Sequence, residues 1–378
     1  MLEHHLALMV MNMLPGVGPG RKRILARHFG SCEAAMAAPE AELCKLPGIG
    51  SHFSRIIHNW GNYCNLEEEL SLVRRSGVTI LTEEDDAYPP LLREIHDPPI
   101  CLYVLGNLTA LQNSRHSLAI VGSRYSTPYG LRMADKLSFD ACSAGWSVIS
   151  GLARGIDTAA HQAALRACGV TVAVIGGGIL NLYPQENTGL AQGIIANGGA
   201  VVTEFPMRHR PDKRSFPLRN RIISGMSQGT IVVQAGLQSG SLITAAQALE
   251  QNRTVFAVPG PVDVEHFRGC HALLKDGARL VESFDDVSDE FSQFPTLSRR
   301  VISKQNELKD TKTSSHELQM SELEMKLWNL LNDGEMMVDD MIDLVDDDPS
   351  SVLACLMTME LRHLVKQLPG KRIVRINQ

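Results

Sequence analysis

The middle of the chain alternates short, continuous apolar runs with longer segments in which apolar residues recur at helical spacing. Continuous apolar strands are typical of parallel sheets that are covered by helices on both faces. A chain that alternates strands and helices in this way builds a doubly wound, Rossmann-like α/β domain. We assign that domain to residues 113–287. Its predicted strands are 117–121, 147–150, 171–175, 200–205, 230–234 and 254–258.

Four further segments flank this domain. Residues 1–65 predict a helical domain of helix-hairpin-helix or SAM-like type, and residues 66–112 predict a connector whose Pro pairs favour an extended strap over a core element. Residues 288–320 are polar and lack an apolar period, which indicates a flexible linker. Residues 321–378 have the pattern of a winged-helix domain. Its predicted elements are helices at 322–332, 336–345 and 349–365 and a hairpin at 367–376.

A near-repeat lies in the N-terminal helical domain. Leu-Pro-Gly-Val-Gly-Pro-Gly at 14–20 recurs as Leu-Pro-Gly-Ile-Gly-Ser at 46–51, and basic residues follow each copy. Such a hairpin leaves amide N–H groups at a helix N-terminus, a geometry that suits a phosphate. The glycines equally suit plain turns between packed helices. Both interpretations stay open for the first hairpin, whereas a structural turn is favoured for the second, which is less basic.

Composition restricts the class of protein. The 378 residues are 44% hydrophobic and carry a formal net charge of -6. The N-terminus lacks a basic leader and no apolar run is long enough to span a bilayer, so we expect a cytoplasmic protein without membrane insertion. The eight Cys include no Cys-x-x-Cys pair, which argues against structural zinc and a disulfide framework. We expect neither a metal nor a cofactor.

One stretch departs from the acidic balance of the chain. Residues 208–221 contain six Arg or Lys against a single acid, Asp212. The stretch follows the predicted strand 200–205, at the sheet edge where ligands of such folds bind. Glycines follow several predicted strands and allow a ligand to approach the backbone closely. Together these features predict a positively charged crevice for the phosphates of a nucleic acid.

Three residues near the predicted crevice have side chains of catalytic type. Asp157 is expected to cap a helix that begins at residue 158, and His161 to pack in the core, with a general base as the alternative. Glu204 ends a strand beside the basic stretch, where it either orients arginines or acts as acid or base. The first strand is followed by a turn with Arg124 where the dinucleotide fingerprint needs glycine, so we expect no nicotinamide site.

Five motifs occur in order between roughly residues 80 and 285 and resemble the DNA-processing protein A (DprA/Smf) family. They are Gly122-Ser-Arg124, Ser150-Gly-Leu-Ala-Arg-Gly-Ile-Asp-Thr-Ala-Ala-His161, Phe216-Pro-Leu-Arg-Asn-Arg-Ile-Ile223, Ser239-Gly-Ser-Leu242 and Val255-Phe-Ala-Val-Pro-Gly260.

This resemblance implies an extended Rossmann domain that binds single-stranded DNA, and a homodimer. It implies a role in natural transformation without catalytic turnover: protecting incoming single strands and helping to load a RecA-type recombinase past single-strand-binding protein. Phosphate contacts are implied for Arg124 and for residues 213–221. The expected DNA-binding residues are Gly122, Ser123, Arg124, Gly151, Lys213, Phe216, Arg219, Asn220, Arg221, Ser239 and Gly240.

The residues themselves also favour a single strand. A crevice at strand ends is too narrow to grip a duplex, but it can hold a few phosphates while Phe216 offers a stacking face to a base. Phe216 equally fits a buried residue that anchors its loop, and both interpretations stay open.

Two other classes of function remain as alternatives. One is a Rossmann-type nucleotide-binding enzyme, similar to phosphoribohydrolases, that uses Glu204 as acid or base. The other is an interaction scaffold whose functional part is the C-terminal segment. Residues 321–378 contain eleven Asp or Glu against six Lys or Arg, and residues 350–359 contain no basic residue. We therefore expect this segment to contact protein rather than read duplex DNA.

Overall fold

The computed structural model describes residues 2–112 and 116–292 in the first part of the chain. Further along, the described residues are 322–331, 336–345, 348–349, 352, 355–356, 358–359, 365–368 and 372–375. The chain divides into two compact units, Met1–Pro295 and Thr296–Gln378.

A single sheet organises the first unit. Its strands are β1 (Thr79–Leu81), β2 (Leu102–Gly106), β3 (Ser117–Gly122), β4 (Ser147–Ser150), β5 (Thr171–Val174), β6 (Ala200–Thr203), β7 (Gly229–Gln234), β8 (Thr254–Ala257) and β9 (Arg279–Leu280). They lie in the order β1-β2-β6-β5-β4-β3-β7-β8-β9. Pairing is antiparallel from β1 to β2 and from β2 to β6, and parallel from β6 through to β9. The predicted parallel α/β sheet is confirmed.

Helices cover both faces of this sheet. Alternate residues of β3 belong to different hydrophobic clusters, Leu118 and Ile120 to one and Ala119 and Val121 to the other. Both faces are therefore buried, which explains why the strands are continuously apolar. The helices after β2 are α8 (Thr109–Gln112), α9 (Pro128–Ser143), α10 (Ile156–Arg166), α11 (Thr188–Ala196), α12 (Ser215–Gly225), α13 (Gly240–Glu250), α14 (Arg268–Lys275) and α15 (Phe284–Ser292), and those before it are α1 (His4–Met13), α2 (Pro19–Phe29), α3 (Cys32–Ala37), α4 (Glu40–Leu43), α5 (Gly50–His58), α6 (Leu66–Ser76) and α7 (Pro90–Arg93).

The prediction that residues 66–112 form an extended strap outside the core is wrong. This segment contains α6 and adds β1 and β2 to the sheet beside β6. Tyr88, Leu102 and Tyr103 are fully buried there. The Pro pairs lie in the connections between these elements, so they do not interrupt the short apolar run of β2. The segment is part of the core of the first unit.

The N-terminal helices share a core with the sheet. Their hydrophobic cluster includes Cys101 and Tyr103 from β2 and its approach, together with Met207. Two hydrogen bonds reinforce the contact: Asn12 Nδ2 donates to the carbonyl of Glu204 at 2.9 Å, and Met207 N donates to Glu69 Oε1 at 2.7 Å. Residues 1–65 thus belong to the same compact unit as the sheet.

The C-terminal boundary of the first unit also differs from expectation. Helix α15 continues to Ser292, so the first residues of the predicted linker are helical. Residues 293–320 of that linker lie outside the described residues. The acidic side chain of Asp286 explains where α15 begins, since its Oδ2 accepts from the amides of Glu282 and Ser283 at 2.8 and 2.9 Å.

The second unit has a small core of its own. Its described elements are α16 (Glu322–Leu330), β10 (Met336–Met337), α17 (Val338–Leu344), β11 (Val365–Leu368) and β12 (Arg372–Arg375), with an antiparallel sheet in the order β10-β12-β11. Leu327, Met341 and Ile373 pack in one cluster. The predicted hairpin is present, but its first strand begins at Val365, where the third helix was expected to end. Among the described residues between 349 and 359, the backbone is helical.

In the described part of the chain, no helix is long and apolar enough to cross a bilayer. The same residues contain no group of three or more His, Cys, Asp or Glu side chains arranged to hold a metal ion.

His161 packs in the core, as expected. It has no exposed surface, and its Nδ1 lies 2.7 Å from Oγ1 of Thr171 in β5. That hydroxyl donates to the carbonyl of Val148 at 2.7 Å, so it accepts from Nδ1–H. Burial, followed by the nearby Arg219, lowers the pKa of His161 to about 3. The imidazole is therefore neutral and closed off from solvent.

His161 should make the protein less stable in acid. An unfolded histidine has a pKa of about 6.5, so below that pH unfolding takes up a proton at residue 161 until the folded pKa of about 3 is reached. Its contribution to the free energy of unfolding falls by up to about 1.4 kcal/mol per pH unit across that window. Urea unfolding from pH ~7.5 to ~4.5 should give a shallower acid slope for His161→Gln than for the exposed control His28→Gln. Parallel curves for the two variants would contradict this.

Glu69 should anchor the N-terminal helices. Glu69→Ala leaves the amide of Met207 without its acceptor, and an unpaired buried donor costs about 1–3 kcal/mol. The control is Glu67→Ala, an exposed residue in the same first turn of α6, which shares the effect of charge at the helix N-terminus. Urea unfolding should show the loss only for Glu69→Ala. Equal losses for the two variants would rule out an anchoring role.

Candidate nucleic-acid interface

A crevice lies where the order of strands reverses. From β3 the sheet extends through β4, β5 and β6 on one side and through β7, β8 and β9 on the other. The loops after β3 and β7 therefore diverge, and ligands of open α/β sheets bind in such a gap. The crevice has a volume of about 740 Å³. Its walls are the loop after β3, the first turns of α12, and the loop after β7 with the start of α13.

The crevice brings together eight of the eleven expected DNA-binding residues. Gly151, Lys213 and Arg221 are not among its lining residues. Those that line it are Gly122, Ser123, Arg124, Phe216, Arg219, Asn220, Ser239 and Gly240.

Arg219 forms the floor of the crevice. It is only 4% exposed, and its Nη1 donates to the carbonyl of Val174 at the end of β5. Burial lowers the pKa of Arg219 to about 10, an effect that Asp157 opposes and Arg124 reinforces. The guanidinium stays charged at neutral pH. The expected phosphate contact at Arg219 stays a prediction, since this cation lines the crevice but is held almost entirely inside the protein.

Gly151 makes room for that guanidinium. A Cβ at Gly151 would lie 2.0 Å from Arg219 Nη1 and 2.7 Å from Asp157 Oδ2. Only glycine fits there, but the group that approaches it is Arg219 rather than a ligand.

Asp157 does not cap α10, which begins at Ile156 after the N-cap Gly155. Its Oδ2 instead accepts from the amides of Gly151 and Ala153 at 3.1 and 3.3 Å. Burial raises the pKa of Asp157, whereas Arg219 and these two amides oppose the rise. Asp157 thus closes the loop after β4 and faces the buried cation.

Arg221 lies on the opposite side of α12 from Arg219. Residues that lie two positions apart in an α-helix, such as 219 and 221, are separated by about 200° around its axis. Arg221 pairs with Glu204, and both side chains are nearly buried, at 13% and 12% exposure. Arg221 also lines a small depression with residues 18–21 of the first hairpin. The expected phosphate contact at Arg221 stays a prediction that the crevice does not support, because that guanidinium pairs with Glu204 and faces the N-terminal helices.

Glu204 is likewise remote from the crevice lining. Burial raises its pKa, and the ion pair with Arg221 opposes the rise. Of its two expected roles, orienting an arginine fits this position. The alternative of an enzyme with Glu204 as acid or base gains no support from this position, since Oε2 accepts from Arg221 and the carboxylate does not line the crevice.

The guanidinium of Arg124 lies over the ring of Phe216 in the crevice. Arg124 is exposed, and its Cζ lies 4.9 Å from the centre of the Phe216 ring. Phe216 is half-buried, and its ring lies close to Gly176, where a Cβ would come within 2.9 Å of Phe216 Cδ1. The ring is therefore both an anchor for its loop and part of the crevice wall, as the two interpretations separately proposed.

The expected hydroxyl and amide contacts have partners inside the loops. Ser123 Oγ donates to the carbonyl of Tyr125 at 2.9 Å. Ser239 Oγ lies 2.7 Å from Ser241 Oγ, and Asn220 Nδ2 donates to the carbonyl of Gly240 at 3.3 Å. These side chains hold the walls of the crevice together. Of the two arginines that line it, Arg219 is buried and Arg124 is exposed.

Tyr125 lines the crevice and was missed by the sequence analysis. It is 82% exposed, directly after Arg124. Its place beside a motif residue, in a chain with only 5% aromatic residues, was the available signal. An exposed ring at the mouth of a cationic crevice is suited to stacking with a base.

The basic stretch 208–221 has two parts. Its second part is the beginning of α12, and Asp212 prepares that start, because its Oδ1 accepts from the amides of Arg214 and Ser215 at 2.8 and 2.7 Å. In the first part, Arg208 pairs with Glu68 at 2.9 Å. Arg210, Lys213 and Arg214 are exposed.

The basic residues of the first N-terminal hairpin are engaged within the chain. Arg21 donates to the carbonyls of Gly16 and Gly48 at 2.7 and 2.9 Å, and so joins the two hairpins. Its guanidinium also lies 3.7 Å from the centre of the Phe53 ring. The accompanying ion pairs are Lys22 with Glu83 and Arg23 with Asp97.

Comparison of sequences identifies relatives of this chain. It is 37% identical to Protein Smf of Synechocystis sp. over 290 residues, 76% of this chain and 73% of the relative. It is 42% identical to DNA processing protein DprA of Bacillus subtilis over 231 residues, 61% of this chain and 77% of the relative.

Solved structures agree. The X-ray structure of DNA processing protein A from Streptococcus pneumoniae matches with a TM-score of 0.63 at 32% identity, over 76% of this chain and 98% of that chain. DNA processing protein A from Helicobacter pylori, whose structure concerns its single-stranded DNA binding mode, matches with a TM-score of 0.51 at 28% identity, over 57% of this chain and 96% of that chain. The sequence profile described as DNA recombination-mediator protein A matches residues 79–292. The chain therefore belongs to the DNA recombination-mediator protein A family, that of the DprA and Smf proteins.

Proposed function

We propose that the crevice binds single-stranded DNA. The observation that carries this proposal is the exposed guanidinium of Arg124 beside the half-buried ring of Phe216, at the reversal point of the sheet. A cation and an aromatic ring in one crevice suit a phosphate and the adjoining base. Tyr125 offers a second exposed ring at the same mouth. The Helicobacter pylori relative, with its single-stranded DNA binding mode, supports the same ligand.

Sequence-tolerant binding follows from this lining. Every base has a π-face, so stacking does not discriminate strongly between bases, and a phosphate contact carries no sequence information. The crevice holds its own amide and hydroxyl groups in internal hydrogen bonds, as at Asn220 and Ser239. We infer that the protein grips single strands of any sequence.

The wider role is that of a recombination mediator without catalytic turnover. We infer that it protects incoming single strands during natural transformation in the cytoplasm, contacts single-strand-binding protein, and helps to load a RecA-type recombinase. A homodimer would place two crevices on one strand and raise the effective affinity. Family membership supports this role.

The flanking regions have supporting roles in this proposal. We infer that residues 1–65 form a helix-hairpin-helix-type brace, because Arg21 joins the two hairpins and ion pairs link α2 to Glu83 and Asp97. We infer that residues 321–378 form a winged-helix domain that contacts protein. Its excess of acidic residues opposes binding to a polyanion.

Arg124 should supply affinity without supporting the fold. Arg124→Ala is expected to weaken binding of a single-stranded oligonucleotide by about tenfold or more, since hydrogen bonds to charged groups are worth about 1.5–3 kcal/mol. Losing one phosphate contact should also reduce the salt slope of log K by about 0.7. Fluorescence anisotropy over a salt series measures both. The control is Arg132→Ala, an exposed arginine of α9. Wild-type affinity in Arg124→Ala would defeat the proposed site.

Arg219 should behave differently from Arg124. Arg219→Met leaves Asp157 buried without its cation, and breaking a buried charge pair costs about 3–5 kcal/mol. Urea unfolding should show that loss, whereas Arg124→Ala should unfold like the wild type. The double variant Asp157→Asn with Arg219→Met should recover part of the stability. An unchanged unfolding midpoint in Arg219→Met would show that the cation is not structural.

A further inference from the structure

A second groove lies beside the crevice. It has a volume of about 1150 Å³ and is bounded by the loop after β5, helix α11 and residues 210–211. Apolar side chains such as Leu105 and Val201 line its inner part. Leu180 and Tyr183 also line it, although they are 46% and 47% exposed. Large apolar side chains grouped at an open groove indicate a binding surface.

Tyr183 connects this groove to the crevice. The centre of its ring is 6.0 Å from that of Phe216, with the ring planes inclined at 55°. Phe216 lines the crevice, whereas Tyr183 lines the groove. A second connection comes from adjacent residues, since Ala153 lines the crevice and Arg154 lines the groove. An extended strand that leaves the crevice at Phe216 therefore reaches Tyr183 directly.

The exposed cations of the basic stretch lie along the same path. Arg210 lines the groove, and Lys213 is exposed on the segment between Arg210 and Phe216. Arg208 and Arg154 are each paired with a glutamate, whereas within the described residues no ion pair engages Arg210 or Lys213. Unpaired cations between two concave sites are complementary to the backbone of a polyanion.

The backbone at residues 207–209, directly before these cations, is held in place by the loop after β5. The amide of Gly178 donates to the carbonyl of His209 at 2.9 Å, and the amide of Leu180 donates to the carbonyl of Met207 at 3.0 Å. Asn181 Nδ2 donates to the carbonyl of Arg208 at 2.6 Å. A surface that is already ordered loses little conformational entropy on binding, which favours affinity.

We propose that this groove is a second subsite for the same DNA strand, in which Tyr183 stacks on a base and Arg210 contacts an adjoining phosphate. The proposal rests on the crevice being the first subsite. An apolar lining, an aromatic ring at the mouth and cations at the rim form the combination that sequence-tolerant single-strand sites use. Because one strand joins the two subsites, the second contact becomes intramolecular and affinity rises with strand length.

A length series tests the second subsite. The full chain is titrated by fluorescence anisotropy with labelled oligothymidylates of about 4 to about 16 nucleotides, the range of site sizes seen for single-strand-binding folds. Tyr183→Ala should weaken binding of the longest oligonucleotides about fivefold or more, and leave that of the shortest unchanged. Arg210→Ala should do the same and reduce the salt slope for long strands by about 0.7.

Matched controls guard against general effects. Tyr63→Ala removes a tyrosine of similar exposure, 44%, next to the N-terminal helices. Arg75→Ala removes an exposed arginine from the last turn of α6. Neither should change the length dependence. If Tyr183→Ala and Arg210→Ala match these controls while Arg124→Ala weakens every length, the groove proposal fails and the crevice proposal stands. If Arg124→Ala binds every length like the wild type, the crevice proposal itself fails.

Photocrosslinking gives an independent readout. Oligonucleotides that contain 5-iododeoxyuridine are irradiated on the full chain, and the attached peptides are identified by mass spectrometry. Long strands should attach to the peptide that contains Tyr183, and short ones only to peptides of the crevice. If long strands attach exclusively to the crevice peptides, the groove does not hold the strand and the proposal is overturned.

Discussion

The crevice depends on one buried positive charge. Burying a guanidinium costs several kcal/mol unless hydrogen bonds and an opposite charge surround it. Around Arg219 these are supplied by the carbonyl of Val174 and by Asp157, and Gly151 leaves the necessary space. Asp157 in turn holds the amides of Gly151 and Ala153. The ends of β4 and β5 and the first turns of α12 are therefore linked by a shared set of contacts.

Much of the fold follows from local pattern. Strands β3 to β8 are buried on both faces, so they appear in the sequence as uninterrupted apolar runs. Strands β1 and β2 escaped prediction because they are short, at three and five residues, and because a Pro pair closely precedes β2. Their place in the sheet is decided by β6, whose residue Thr203 pairs with Tyr103, a hundred residues earlier. Such pairing depends on tertiary contacts that no local window contains.

The site was predictable as a region but not residue by residue. Counting charges identified the stretch 208–221, and strand ends identified the crevice. Neither method could tell Arg219 from Arg221, because their roles depend on where α12 begins and on which side of it each residue faces. Arg219 supports the crevice, while Arg221 is paired with Glu204 beside the N-terminal hairpin. Tyr125 was missed for a related reason, since a side chain's exposure is a property of the folded chain.

The N-terminal helices lie outside the match to the family profile but complete one of its hydrophobic clusters. The match to the family profile begins at residue 79, but the hydrophobic cluster that contains Tyr103 and Met207 is completed by residues from α1 to α6. A fragment that begins at residue 79 would expose the apolar residues that pack against α1 to α6. It would also leave Glu83 and Asp97 without their partners Lys22 and Arg23. The segment that the family profile covers is thus smaller than the segment that shares this hydrophobic core, and aggregation of the shorter one would say nothing about DNA.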